Sequence, residues 1–266
     1  MNTPSLQDFE TQFKQHPIST LKDCSSQDYQ ESTYTMLCYR ANDIKSFQYM
    51  PYSNIENQSK LEFLNSLIVH STISEVVTWA LYEVELFEIS ELITQKKMLI
   101  NWSYQIENWW HCDQLSSIYN KVLSSKRIFF KDLLAMSNFS SLWQRRLSLT
   151  SLYYYAKQCS NPLPLDMTLP LVEKLLLDEE YYVQKGVGWT LREMSQIDYD
   201  KTLDFLKIHT KHLSSASFSA AIEKLNAEDK LYIKELRKTQ NSNPHEFQAH
   251  ESHEINYHHL KHHNRN

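Results

Sequence analysis

From Ser59 onward the apolar positions recur at helical steps. Leu61, Leu64, Leu67 and Ile68 form one face. Val76, Val77, Ala80, Leu81, Val84 and Phe87 form a second, and Ile89, Leu92, Ile93, Leu99 and Ile100 a third. Steps of three and four residues are those of amphipathic helices packed in pairs. The pattern predicts another helix through Leu115, Ile118, Val122 and Leu123, and one starting at Leu142 with Ser140-Ser141 as its cap. Asn161-Pro-Leu-Pro breaks the chain, and Pro170 suits the first turn of a helix carrying Leu171, Val172, Leu175 and Leu176. A helix over Tyr181–Glu193 follows, with Asp178 as candidate N-cap and Glu179 and Glu180 in its first turn. Further helices are expected over Lys201–His212, Phe218–Leu225 and Glu228–Lys238.

Before residue 59 the pattern is weaker. Leu6, Phe9 and Phe13 suggest a short helix ended by Pro17, and a second helix is expected over Tyr29–Tyr39. Asp43–Asn57 reads as loop, with Pro51-Tyr-Ser-Asn as a turn signal. After Thr239 seven histidines appear among few apolar residues, which suits a disordered tail with incidental affinity for divalent metals. The chain thus divides into a divergent helical region (1–58), a helical-repeat core (59–239) and a histidine-rich tail (240–266).

Composition agrees with an all-α fold. The 266 residues are 41% hydrophobic and 22% charged, with two glycines and seven prolines. That is enough apolar surface for one substantial core, and too few turn formers for a β protein. No apolar run is long enough for a transmembrane helix, and the first residues lack the basic and apolar parts of a signal peptide. The four cysteines are scattered without a Cys-x-x-Cys pair, which suits free thiols in a reducing cytoplasm. Net charge is −5, which speaks against a protein that coats nucleic acid over its whole surface. Between Gln114 and Asn161, however, Lys121, Lys126, Arg127, Lys131, Arg145, Arg146 and Lys157 face a single acid, Asp132. This basic middle is either a local phosphate-binding surface or an uneven solvated one.

Both glycines, Gly186 and Gly188, fall inside the helix over Tyr181–Glu193. Glycine in a helix interior costs ~0.5–1 kcal/mol against alanine, so something approaches this backbone closely. The plain candidate is a neighbouring helix, and the functional one a ligand or a nucleic-acid strand. Laying Trp143–Leu149 over Val183–Trp189 aligns Gln144 with Gln184, Arg145 with Lys185, Leu147 with Val187 and Ser148 with Gly188. The offset of about 40 residues is that of a HEAT-type helical hairpin, which predicts a curved α-α superhelix.

Three segments resemble the DNA alkylation repair family, the AlkD-like DNA glycosylases. Gln184-Lys185, Gly188-Trp189 and Leu191-Arg192-Glu193 follow its pattern Gln-Lys-x-x-Gly-Trp-x-Leu-Arg-Glu. Asn108-Trp109 and Asp113 follow Asn-Trp-x-x-x-Asp, and Trp143 and Arg146 follow Trp-x-x-Arg. The likeness covers roughly residues 60–235. The family's Phe-Leu-Gly-Ile-like opening segment has no counterpart here. The resemblance implies a monomer that needs no metal or cofactor and acts on double-stranded DNA bearing alkylated purines. The modified nucleotide is thought to be processed while still stacked, unlike the usual extruded base.

The resemblance makes Asp113, Trp109 and Trp189 the candidate catalytic residues. A purine alkylated at N3 or N7 is cationic and leaves as a neutral base, so no strong general acid is required. One carboxylate can stabilise the oxocarbenium character left on the sugar and orient water, in place of the usual carboxylate pair. Tryptophan faces attract a cationic lesion by about 0.5–2 kcal/mol per contact. For DNA binding the candidates are Arg146, Lys185, Arg192 and Gly188, with a structural ion pair as the plain alternative for the three cations. Arg145 and Arg146 diverge on a helix, and Arg146 is the one that matches the family.

The plain readings stand beside these. Tryptophan on an amphipathic helix is usually core, as expected of Trp79 and Trp143. Trp109 and Trp110 cannot both face inward. An aspartate early in a helix is often a cap. His111 and Cys112 are adjacent, point to different faces and make no metal pair. Rival functions are a non-catalytic binder of damaged or branched DNA and a protein-binding scaffold, since solenoids present concave surfaces.

Overall fold

The structure, a computed structural model, describes residues 5–24, 32–53, 55–125 and 129–242. Helices dominate, and among the described residues the only β pairing is an isolated parallel bridge between Thr35 and Ile73. Leading helices are α1 (Leu6–Lys14), α2 (Ala41–Ser46), α3 (Met50–Ser53) and α4 (Asn57–His70). Then come α5 (Ser74–Glu85), α6 (Ile89–Thr94), α7 (Lys96–Trp102), α8 (Trp109–Ser125) and α9 (Phe130–Met136). The remainder are α10 (Leu142–Thr150), α11 (Leu165–Lys174), α12 (Tyr181–Met194), α13 (Tyr199–His209), α14 (Ser215–Ala221) and α15 (Ala227–Ser242).

One row of helices contacts its neighbours in chain order: α5 touches α8, α8 touches α10, α10 touches α12, and α12 touches α14. Others pack behind this row, with α4 on α5, α9 on α10, α11 on α12 and α13 on α12. The arrangement is compatible with the expected stack of hairpins. It follows from apolar stripes that each helix can cover only with its neighbours. Leu61, Leu64, Val76, Val77, Leu115, Leu147, Val187 and Leu191 are all buried in one cluster.

The N-terminal region joins that cluster. Phe9 packs on Trp79 with ring centroids 4.7 Å apart, and the Trp79 indole donates to the Phe47 carbonyl at 3.2 Å. Ser5 caps α1 by accepting the Asp8 N–H at 3.1 Å.

Several local expectations are corrected. The described part of the stretch expected as a helix up to Tyr39 is not helical: it holds bends, the bridge at Thr35 and a positive φ of 61° at Cys38. Its backbone groups go elsewhere: Thr35 N–H to the Thr72 carbonyl at 2.7 Å, Leu37 N–H to Glu75 at 2.9 Å. The rest of that expected helix, Tyr29 to Glu31, lies outside the described residues. The loop expected over Asp43–Asn57 instead holds parts of α2 and α3, because Ile44 and Tyr52 have core to fill. Pro170 sits inside α11 rather than in its first turn, since that helix starts five residues earlier to bury Leu165 and Thr168.

Cys24 and Cys38 are joined in a disulfide, against the expectation of four free thiols; Cys112 and Cys159 are free. The inference of a reducing compartment loses that support. Lys126, Arg127 and residues 243–266, with all seven histidines of the tail, lie outside the described residues; residues 240–242, expected as the start of that tail, end α15 instead. No helix among the described residues is long and apolar enough to cross a membrane.

Candidate active site

Asn108 begins the site. Its side-chain oxygen accepts the His111 N–H at 2.8 Å and so caps α8, the helix that carries Trp109 and Asp113. Its amide also meets His111 Nδ1 at 3.0 Å, while His111 Nε2 lies 2.9 Å from the Ser74 carbonyl. Assigning the proton to Nε2 satisfies both contacts with a neutral imidazole. Burial holds the His111 pKa down, to about 4. Cys112 is buried next to it, and burial pushes its thiol up to about 12, so thiolate chemistry is absent there. With these two side chains turned inward, Trp109 and Asp113 face out: the Trp109 residue is 37% exposed and the Asp113 side chain 31%.

A cleft of about 420 Å³ opens where α8, α10, α12 and α14 meet. Trp109, Asp113, Arg146, Lys185, Trp189 and Arg192 all line it, with Tyr181, Tyr182, Ala216 and Ala220. Six of the seven residues singled out in the sequence therefore share one cavity. Lys185 and Trp189 come together because they are four apart on α12.

Arg146 reaches the cleft from α10. Its guanidinium donates to Asp113 Oδ1 at 2.6 Å and to the Tyr182 carbonyl at 3.0 Å, and the residue is only 7% exposed. Burial by itself would lower its pKa; Asp113, and after it Cys112, oppose burial and the net direction is upward, so Arg146 stays charged. No other hydrogen bond to Asp113 occurs among the described residues, so its second oxygen is left for the cleft. Arg192 lies 5.5 Å over the Trp189 ring and pairs with Glu193 at 2.9 Å and Glu223 at 3.2 Å. Lys185 lies 5.3 Å over the Tyr181 ring and has no ion pair among the described residues.

Gly188 is the seventh residue, and the structure puts a helix rather than DNA against it. A Cβ there would come within 2.3 Å of the Ser217 carbonyl oxygen and 2.6 Å of its Cα. The Ser217 hydroxyl donates to the Gln184 carbonyl at the same crossing, at 2.6 Å. Gly186 has ordinary contacts, 3.5 Å to Arg146 Cγ and 3.6 Å to Leu149 Cδ1. The plain reading, a neighbouring helix, is the correct one for Gly188.

Asp178 does not cap α12, whose N-cap position is Glu180. It pairs instead with Arg145 at 2.6 Å, which takes Arg145 away from the cleft. Lys121 is likewise held by Glu85, whose backbone carbonyl accepts from it at 2.7 Å and whose carboxylate lies at 3.9 Å. The basic middle of the sequence is thus partly neutralised by acids from other segments, and of its described members only Arg146 lines the cleft. Trp79 is core as expected; Trp143 is half-buried, its ring 4.9 Å from Tyr182.

Sequence reasoning missed the tyrosines. Tyr154 and Tyr155 stand 5.4 and 6.2 Å from the Trp189 ring, and Tyr181 and Tyr182 line the cleft. Burial first and the Asp113 charge second raise the Tyr154 pKa, so the phenol is neutral. The available signal was the run Tyr153-Tyr-Tyr155 just after an expected helix.

The DNA alkylation repair enzyme family model matches residues 22–225. The chain belongs to that family, which implies a role in DNA repair and DNA as the substrate. The match begins earlier than the likeness read from the motifs. Among solved structures the chain is similar to a "Predicted DNA alkylation repair enzyme" from Enterococcus faecalis. The two share 16% identity with a TM-score of 0.57, over 73% of this chain and 90% of that one. At that identity the likeness concerns the fold. No curated protein matches.

Proposed function

We propose that this protein is a DNA glycosylase that hydrolyses the N-glycosidic bond of cationic N3- or N7-alkylated purines in double-stranded DNA. The observation that carries the reading is the cleft in which Trp109, Trp189 and an Arg146-held Asp113 converge. Indole faces offer a binding wall for a positively charged purine. As the bond from C1′ to the base breaks, its electron pair moves onto the purine and neutralises it, so the leaving group needs no proton. Positive charge then builds on the sugar. Asp113 stabilises that charge and orients the water that adds to C1′, whose proton passes to Asp113 or to solvent. An abasic site and a neutral alkylpurine result.

Arg146 serves this scheme as the group that fixes Asp113. Preorganisation of a charged group costs nothing further at the moment of reaction. Lys185, exposed and free of carboxylates among the described residues, is the better candidate for a DNA phosphate.

One observation favours a protein-binding scaffold instead: two of the three cleft cations are already paired with carboxylates, which leaves less positive charge for phosphates. The test is release of free alkylpurine from methylated duplex DNA by purified protein. Release supports the glycosylase; duplex binding without release supports a non-catalytic DNA binder; neither release nor duplex binding supports the scaffold.

A further inference from the structure

Beside the cleft, the chain makes a turn whose geometry is unusual. Tyr155 has φ 48°, in the left-handed region that L-residues other than asparagine, aspartate and glycine seldom occupy. The residue is nonetheless 50% exposed, so it is not held there by burial in the core. The turn is clamped by Glu193, a buried carboxylate on α12. One Glu193 oxygen accepts the Ala156 N–H at 2.9 Å, and the other accepts Arg192 Nε at 3.0 Å. Arg192 in turn lies over Trp189. One carboxylate therefore ties the Tyr155 turn and the Trp189 indole into a single frame. Residues held in sparsely populated backbone regions persist where their surroundings over-determine them, and such places cluster at ligand sites.

We infer that Tyr155 is a further contact residue of the cleft, and that Glu193 is the positioning residue that presents it. The ligand group would be the deoxyribose next to the nucleotide facing Trp189. The inference rests on the glycosylase reading for the identity of the ligand. Tyr155 is not one of the residues that line the cleft itself but is the neighbour of one of them, with its centroid 6.2 Å from that of Trp189 and the planes at 78°. An exposed ring there offers an apolar face to a sugar, and the hydroxyl is not needed.

The experiment measures affinity and single-turnover excision on a short duplex with one N7-methylguanine, at a temperature where each variant is folded. Tyr155→Asn removes the ring while keeping a residue that tolerates positive φ, and it should weaken affinity about ten-fold. Tyr155→Phe should bind as the wild type does. Glu193→Ala should lose as much as Tyr155→Asn, and the double variant no more than either alone. Glu193→Gln retains an acceptor for the Ala156 N–H and should recover most of the affinity, which a role confined to stability would not require. Wild-type affinity in Tyr155→Asn, or additive losses in the double variant, overturns the inference. Binding that depends on Tyr155 without base release would sustain it while removing the glycosylase reading. Failure of the wild type to bind duplex removes both.

Discussion

Alanine at each of the two glycines should move stability in opposite directions. At Gly186 the added methyl meets Arg146 Cγ at 3.5 Å and Leu149 Cδ1 at 3.6 Å, ordinary van der Waals distances. Nothing opposes the helix-propensity gain, so Gly186→Ala should stabilise by about 0.5–1 kcal/mol. At Gly188 the same methyl falls 2.3 Å from the Ser217 carbonyl oxygen and 2.6 Å from its Cα. Those are backbone atoms of α14, so no rotamer change relieves them and the two helices must separate. Overpacking of this kind costs ~1–3 kcal/mol, and a backbone obstacle puts the cost toward the upper end. Net of the propensity gain, Gly188→Ala should lose on the order of 2 kcal/mol. Denaturant titration with the m-value checked gives both numbers. In thermal unfolding the shifts should be roughly +2 and −5 °C for a domain of this size. Ser217→Ala should not rescue Gly188→Ala, because the obstructing atoms are not in the serine side chain. Equal effects at the two glycines, or a stabilising Gly188→Ala, would refute the close α12–α14 crossing.

Four further outcomes follow from the site. Asp113→Asn keeps shape but loses charge, and single-turnover excision should fall by about 10²–10³ with duplex affinity retained; an undiminished rate would remove Asp113 from the chemistry. Lys185→Ala should flatten the salt dependence of duplex binding by roughly one phosphate contact. Arg146→Ala should leave the slope unchanged and lower the rate, and a flattened slope there would mean that Arg146 leaves Asp113 for a phosphate. His111 has a pKa of about 4 when folded against an ordinary 6.5. The unfolded chain therefore takes up the proton first. The stability that neutral His111 contributes is complete above pH 6.5 and is lost as pH falls toward 4, by about 3 kcal/mol in all. Urea titrations across that window should show the loss, and His111→Gln should shrink it.

Much of the fold was legible because its cause is local. Leu61, Leu64, Leu67 and Ile68 lie on one stripe whatever they pack against, and they form the buried side of α4. Spacing likewise placed Lys185 with Trp189, and Trp109 with Asp113, on shared helix faces. The family motifs supplied the pairing of those faces, which periodicity does not contain. The non-helical stretch before Tyr39 went unseen because it is fixed by Thr72, Ser74 and Glu75, residues remote in the chain.

Charge shows the same division. A window from Gln114 to Asn161 reads as basic, yet the carboxylates of Asp178 and Glu85 reach it from outside and pair with Arg145 and Lys121. Sequence counts charges along the chain, whereas fields and ion pairs depend on distance through space. The sequence by itself determined most of the helices, the residues able to share a face, and a close approach to the glycine-bearing helix, which holds at Gly188 and not at Gly186. Tertiary structure alone decided that a helix makes that approach at Gly188, and that Arg146 answers to Asp113. It also decided that a tyrosine turn clamped by Glu193 stands against Trp189. Each of those contacts joins segments dozens of residues apart, and no local pattern encodes which partner arrives.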